Sequence, residues 1–379
     1  MITFLINELN ICGGTHKQFL HLVKYINNKH INFQIITTNY NREKTYPEFK
    51  QFENRIHVIQ KKQDRNVLYR IYDKLIFALR LRRAIKGSTI INVHDPGFEL
   101  FFPIFPAKSV IWQINDLPSY FHVGVFKTGR HNKIKSQIAK RLAIWGTHHA
   151  VRQITVNVTK NKKRVEHVLK QPASVFYCGI EPIGIYRDQK ATKDRFEHNE
   201  INILTSGVFF PYRNYETQIL VIEHLIKTGI HANLKIIGAT SDQEYTAKIR
   251  QMIIDKKLES HVQICGQVNE RLFSQLHHES DVFMFINIDQ SWGLSVFEAM
   301  SCNIPVIVSS SVGATEILKD KFNAIFVNPT DIDAITEEIK RLMTDPSYYN
   351  LIVMNAKEII HQYTWDNSYC APITNLLLS

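Results

Sequence analysis

Three stretches of this sequence place backbone amides and a cation where an anion could be held. In residues 281–318 a strand-like apolar run, 282–286, leads to a turn at Ser291-Trp292-Gly293. A helix then starts near Leu294 and carries Glu298 in its second turn. The first amides of a helix have no partner inside it, so the N–H groups of Gly293, Leu294 and Ser295 are available to a negatively charged group. Upstream, a strand ends at Ser206-Gly207, and Arg213 lies in the loop before the next helix, well placed to reach a phosphate oxygen. In the first half, Gly13-Gly14 separate a strand from a helix, a turn that lets amides approach a phosphate. The full G-x-G-x-x-G fingerprint is absent, which counts against a dehydrogenase. One D-x-D, Asp331 and Asp333, opens a helix and reads as a cap rather than a metal site.

The elements that must hold these residues alternate along the chain. Short β-rich runs at 2–7, 33–38, 56–60, 90–94, 110–115, 151–156 and 174–177 predict the strands of the first half, with a helix at 15–26. The second half repeats the rhythm, with strands at 201–206, 234–238, 262–265, 282–286, 305–309 and 324–327. Helices fall at 216–228, 241–256, 269–278, 294–301 and 332–343. Such alternation predicts an α/β chain with two doubly wound, Rossmann-like parallel sheets, and ligands at the carboxyl ends of their strands, in a cleft between the two. The seam falls in the polar stretch 181–200, which divides the 379 residues into domains at 1–185 and 186–364.

Composition narrows the class. Hydrophobic residues are 44% and charged residues 21%, values of a globular chain rather than a disordered or fibrous one. The five cysteines, Cys12, Cys178, Cys265, Cys302 and Cys370, are widely spaced and form no C-x-x-C, so buried thiols are expected rather than zinc ligands or a disulfide framework. No signal peptide or transmembrane helix is expected. Charge is divided unevenly. Residues 1–180 hold 29 Lys+Arg and 10 Asp+Glu, and residues 181–379 hold 17 and 25. The first half therefore faces something anionic. Much of its charge lies in two helix-like runs, 68–87 and 127–145, whose apolar residues recur at helical spacing. Basic amphipathic helices of this kind can lie on an anionic membrane, or can simply bury one face and solvate the other. No nucleic-acid recognition signature accompanies the charge.

The string Gln290-Ser291-Trp292-Gly293-Leu294-Ser295-Val296-Phe297-Glu298-Ala299-Met300 is followed by Asn303-Ile304-Pro305-Val306-Ile307-Val308-Ser309 and by Val312-Gly313-Ala314-Thr315-Glu316. Together these resemble the retaining GT-B glycosyltransferases of the large bacterial envelope-glycan family, the group 1 glycosyl transferases. Their pattern is E-x-F-G-x-x-x-x-E-A-M, then G-x-P-V-(I/V)-x-(S/T) and G-G-x-x-E. Gly13-Gly14, Tyr177-Cys178-Gly179-Ile180-Glu181, the run 207–214 and Tyr363-Thr364-Trp365 extend the likeness over nearly the whole chain.

The resemblance implies a GT-B fold of two Rossmann-like domains facing each other across a cleft, with residues 365–379 as a helix crossing back to the first. It implies transfer of a hexose from a UDP- or GDP-sugar co-substrate to a lipid-linked or polysaccharide acceptor, without a metal. The chain would be cytoplasmic and peripheral at the membrane's inner face. Glu298 would bind the ribose hydroxyls, and Arg213 would clamp the diphosphate with the amide of Gly14. The amides of Gly293, Leu294 and Ser295 would hold the donor sugar or its phosphate, and Gly266, Gln267 and Val268 would flank the base. Three positions depart from the family. Gln290 stands for the first glutamate of the motif, Val208 for an arginine, and Asn115 for a first-domain histidine, whose part His94 or Asp116 could take. The departures motivate a rival, a weakened homologue acting as a binding or scaffold subunit. A nucleic-acid-binding protein and a nucleotide-sugar epimerase are the other rivals.

Overall fold

The computed structural model describes residues 1–60, 67–94, 96–115, 118, 133–182, 196, 198–289 and 292–379, with the side chains of 67–71 and 133–136 excepted. Of the expected site residues, Asp116 and Gln290 lie outside this set, as do most of the seam and the start of the second basic run. The chain divides into two compact units, Met1–Gly179 with Trp365–Ser379, and Ile180–Thr364.

The first unit is built on seven parallel strands in the order β3-β2-β1-β4-β5-β6-β7. They are β1 (Ile2–Ile6), β2 (Phe33–Thr37), β3 (Ile56–Val58), β4 (Ile90–His94), β5 (Val110–Ile114), β6 (Val151–Val156) and β7 (Ala173–Val175). Helices α1 (Gly14–Asn28), α2 (Val67–Ala84), α3 (Lys133–Ala150) and α4 (Thr159–Leu169) connect them. Strands β1, β4 and β5 are buried along their whole length, so both faces are covered and their sequences are mostly apolar. Right-handed crossovers put α2, α3 and the 3-10 turns Glu99–Ile104 on one face, since each connection advances in the same direction across the sheet. Phe77, Leu81, Phe98, Phe102, Trp112 and Ala143 share the core there.

The second unit has six parallel strands in the order β10-β9-β8-β11-β12-β13. They are β8 (Glu200–Ser206), β9 (His231–Ile237), β10 (Val262–Gly266), β11 (Val282–Phe285), β12 (Val306–Ser309) and β13 (Ile325–Val327). Its helices are α5 (Tyr215–Lys227), α6 (Gln243–Asp255), α7 (Glu270–Glu279), α8 (Leu294–Ser301), α9 (Ile332–Thr344) and α10 (Pro346–Gln362). From β8 the chain winds outward one way to β10, then returns beside β8 at β11 and winds the other way. The switch point is thus between β8 and β11, where open α/β sheets bind ligands. Both sheets are doubly wound, as the alternation of strands and helices requires.

The last segment packs in the first unit. Trp365 stacks on His21 at 4.6 Å and 7°, and α11 (Ala371–Leu378) follows. A Cβ on Gly179 would lie 2.2 Å from the Trp365 Cα, so only glycine lets the two backbones pass. The structure adds α4 and α10 to the helices expected from the sequence, and β9 begins at His231, three residues before the apolar run that marks it. Pairing with the full length of β8, from Glu200↔His231 onward, sets that start.

Candidate functional site

Arg213 sits at the switch point of the second sheet. It ends a turn of 3-10 helix, Pro211–Arg213, after β8, and Asn214 then takes a left-handed φ of 55° that redirects the chain into α5. The Asn214 side chain enforces this bend by donating to the carbonyls of Ile286 at 3.3 Å and Pro329 at 2.7 Å. The amide of Ile288 donates to the Tyr212 carbonyl at 2.7 Å, which joins the loops after β8 and β11. The Arg213 guanidinium carbon lies 5.1 Å from the centre of the Tyr212 ring and 5.8 Å from that of Phe285. A Cβ on Gly207 would come within 2.5 Å of it, so the glycine is what admits the cation. Behind the loop, the buried Tyr215 hydroxyl donates to the Gly207 carbonyl at 2.7 Å, and burial raises its pKa so that it remains a donor.

Among the described residues, Arg213 Nε and Asn287 Nδ2 are buried without an acceptor. An unsatisfied buried donor costs about 1–3 kcal/mol, more when charged, so an anionic or oxygen-rich group would be favoured here.

Helix α8 opens on the neighbouring loop. Gly293 caps it at φ 90° and ψ 60°, and a Cβ there would meet Phe285 at 3.0 Å and Val312 at 3.1 Å. The first bond of the helix runs from the Val296 amide to the Gly293 carbonyl, so the amides of Leu294 and Ser295 precede the helical ladder. Glu298 follows one turn later, half-buried. Its carboxylate is felt by two buried neighbours. It opposes the desolvation that lowers the His277 pKa, and it adds to the burial that pushes the Cys302 thiol up to about 11.

Gly266 ends β10 at the sheet's edge with φ 68°, and Gln267, which is exposed, and Val268 follow in the loop. The Gly238 amide donates to the Gly266 carbonyl at 2.9 Å and the Gly207 amide to the Ile237 carbonyl at 2.8 Å, which carries the sheet's ladder into these loops. Asp331 caps α9 by accepting from the Ala334 amide at 3.0 Å, and Asp333 lies 3.5 Å from His224. Among the described residues no cluster could hold a metal ion.

In the first unit, Gly14 is the first residue of α1, and the helical ladder begins with the Lys17 amide on the Gly13 carbonyl at 2.9 Å. Gly13 has φ −137°, open to any residue, so its backbone does not require glycine. Asn115 is buried and fully engaged. Its amide donates to Gln18 Oε1 at 2.8 Å and Thr15 Oγ1 at 3.3 Å, its side-chain oxygen accepts from Gln113 at 3.0 Å, and its carbonyl accepts from Asn161 at 2.6 Å. It ties the start of α1 to the end of β5, the work of a positioning residue. His94 is wholly buried at the end of β4, between Phe4 and Phe19, with Nε2 2.6 Å from Asn92 Oδ1. Asn92 donates its amide to Ile111, so its oxygen faces His94 and fixes the proton on Nε2. Burial, then the nearby His16, lowers the His94 pKa to about 3. Phe4 and Phe19 enclose the ring, and none of its surface is exposed. Asp116 and Gln290 lie outside the described residues.

The sequence signals brought out Arg213 and Glu298 but not Tyr212, Phe285 or Asn287. Asn287 carried a usable signal, since it follows the β11 run at the carboxyl end where such sheets bind ligands. The contact of Arg213 with Phe285 carried none, because these residues, 72 apart in the chain, meet only in the folded sheet.

Residues 187–359 match the family of glycosyl transferases group 1. An uncharacterized glycosyltransferase of Methanocaldococcus jannaschii is 27% identical over 232 residues, 58% of this chain and 58% of its own length. The O-antigen chain mannosyltransferase RfbU of Salmonella typhimurium is 24% identical over 214 residues, 54% of this chain and 58% of its own. The chain thus spans under two thirds of the length of these curated relatives. The Anabaena protein HepE, crystallised with UDP, superposes with a TM-score of 0.77 at 15% identity, covering 100% of this chain and 99% of that one. The resemblance to the group 1 glycosyl transferases read from the motifs is shown, and the fold is GT-B, with two Rossmann-like units.

Proposed function

We propose that this chain is a glycosyltransferase that moves a hexose from a nucleoside diphosphate sugar, UDP- or GDP-linked, to a lipid-linked or polysaccharide acceptor, with retention at the anomeric carbon. The observation that carries the reading is that Arg213, whose buried Nε has no acceptor among the described residues, and the leading amides of α8 both follow strands at the carboxyl end of the sheet, at the switch point. The bond that breaks joins the anomeric carbon to a phosphate oxygen, and charge builds on the departing diphosphate. Arg213 and the amides of Gly293, Leu294 and Ser295 would stabilise that charge, so the reading needs no metal. Glu298 would accept hydrogen bonds from the ribose hydroxyls, and Gly266, Gln267 and Val268 would flank the base. Gly14 would offer its amide to the diphosphate, and Gln290 and Asp116 would meet the transferred sugar or the acceptor. His94 and Asn115 would position α1 rather than touch substrate.

HepE's complexes with UDP and with UDP-glucose support a UDP-linked donor, and the O-antigen mannosyltransferase supports an envelope-glycan acceptor. An acceptor carried on lipid fits a cytoplasmic chain peripheral to the inner face of a membrane. The test is to incubate the protein with UDP- and GDP-hexoses and follow the sugar by NMR. Release of nucleoside diphosphate with the hexose appearing first in the donor's anomeric form supports the proposal. Inversion, or conversion of one donor sugar into another without acceptor, contradicts it.

A further inference from the structure

Helices α2 and α3 each bury one face on the core of the first unit and leave an apolar stripe on the opposite face. On α2 the buried face is Phe77 and Leu81, continued by Ile85 just past its end, and the stripe is Tyr72, Leu75 and Leu79, spaced i, i+3, i+7. On α3 the buried residues are Ala143, Thr147 and Ala150, and the stripe is Ile138, Leu142 and Trp145, spaced i, i+4, i+7. Five of these six side chains have more than half of their surface exposed. No other element among the described residues exposes three large apolar side chains. A stripe of this kind is the opposite of what a solvated helix face should show.

The two stripes belong to one layer. Phe77 of α2 packs on Phe98 and Phe101, and Gly146 of α3 packs so closely on Phe102 and Pro103 that a Cβ would come within 2.7 Å of the proline ring. Both helices therefore flank the same 3-10 segment on the same side of the sheet, and both stripes point outward from it.

Basic residues surround the apolar ones. Arg82, Arg83 and Lys86 continue the exposed line of α2 beyond Leu79, and Arg141 lies beside Leu142. Arg80 and Arg83 line a groove of about 560 Å³ between α2 and the edge strand β3, together with Val58, Ile59, Gln60 and Ala84. Among the described residues none of Arg80, Arg82, Arg83 and Arg141 has an acidic partner within ion-pair distance.

We infer that the outer face of α2 and α3 is a docking surface for an anionic lipid bilayer, with the six apolar side chains entering the interface and the arginines meeting lipid phosphates. The charge around the stripes selects this occupant, because a cationic rim of arginines on apolar residues matches an acyl boundary topped by phosphates. No helix among the described residues is long and apolar enough to cross a membrane, so the contact lies on the surface. The inference deepens the proposed use of a lipid-linked acceptor but needs no donor, so it can be tested apart from transfer.

Trp145 supplies the readout, since Trp112, Trp292 and Trp365 are buried. Full-length protein is mixed with vesicles of phosphatidylcholine alone and with about one third phosphatidylglycerol. Binding is measured by sedimentation and by tryptophan emission. The expected result is binding to the anionic vesicles with a blue shift that Trp145→Phe abolishes, weakened at high salt. The double substitution Leu75→Ser with Leu79→Ser should lower partitioning by about tenfold or more. Replacing Arg82 and Arg83 by Gln should lower it by about fivefold per residue. Because these side chains are exposed, the melting temperature and nucleotide binding of the variants should match the wild type. Absence of binding to anionic vesicles overturns the inference. So does binding that survives both sets of substitutions, or a dimer in solution that the serine substitutions dissociate.

Discussion

Arg213 is held where its charge is useful and its hydrogen bonding incomplete. Gly207 leaves room for the guanidinium, Tyr212 and Phe285 flank it, and Asn214 bends the chain behind it. Arg213→Ala should weaken nucleoside diphosphate binding by about 1.5–3 kcal/mol, roughly 10- to 150-fold in Kd, the worth of a charge-assisted bond. Calorimetric titration measures this, and an unchanged Kd would remove the residue from the site. His94 makes a different prediction. Its folded pKa of about 3 lies below the ordinary histidine value, so the folded state binds fewer protons than the unfolded state between the two. Stability from this group is complete above about pH 6.5 and is lost as pH falls below it, by about 2 kcal/mol between pH 6.5 and 5. His16, lowered mainly by burial, acts in the same direction. Denaturant melts of wild type and His94→Gln across this range should converge toward acid, and parallel profiles would contradict the account. At this scale the sequence revealed residue types with chemistry but not their burial. Asn115 and His94 resembled contacts, yet both face inward, because their surroundings come from strands and helices remote in the chain.

At the scale of elements, the β11–α8 connection orders the site. Gly293 is held at φ 90° with Phe285 and Val312 against the position a Cβ would take, so any side chain must move the start of α8. Gly293→Ala should cost about 1–2 kcal/mol, the price of a left-handed residue bearing a Cβ. It should also weaken nucleotide binding, since the amides of Leu294 and Ser295 shift with the turn. Thermal unfolding and titration of the same preparation check both effects, and a variant with wild-type melting and affinity would show that this turn tolerates displacement. The strands were legible because buried parallel strands are continuous apolar runs bounded by polar loops. Helix α8 was legible to the residue, since its glycine and its apolar face mark both ends. Helices α4 and α10 were not singled out. Helix α4 is rich in lysine and buries only Asn161, Val165 and Leu169, and α10 follows α9 after the single residue Asp345, so its start is set by the Asp345 cap and Pro346 rather than by a loop.

At the scale of the whole molecule, the charge asymmetry and the division into units coincide. The basic half of the sequence forms most of the unit that bears the stripes of α2 and α3, and the acidic half forms most of the unit that bears Arg213 and Glu298. The proposed binding of an anionic nucleotide by an acidic unit calls for positive charge and open amides concentrated locally, which Arg213 and the start of α8 would supply. The doubly wound fold was readable from alternation and motif spacing together. The return of Trp365–Ser379 to the first unit is packed by the stack of Trp365 on His21 and by the close passage at Gly179. The central claim is that the second unit binds the nucleoside diphosphate of a sugar donor, with Glu298 on the ribose. The measurement that tests it most directly is calorimetric titration of UDP and GDP into the wild type and Glu298→Gln. The account predicts saturable binding of one diphosphate by the wild type and at least about tenfold weaker binding by the variant, whose melting temperature in the absence of ligand is unchanged. Failure of both nucleotides to bind the wild type, or equal affinity in the variant, would contradict it.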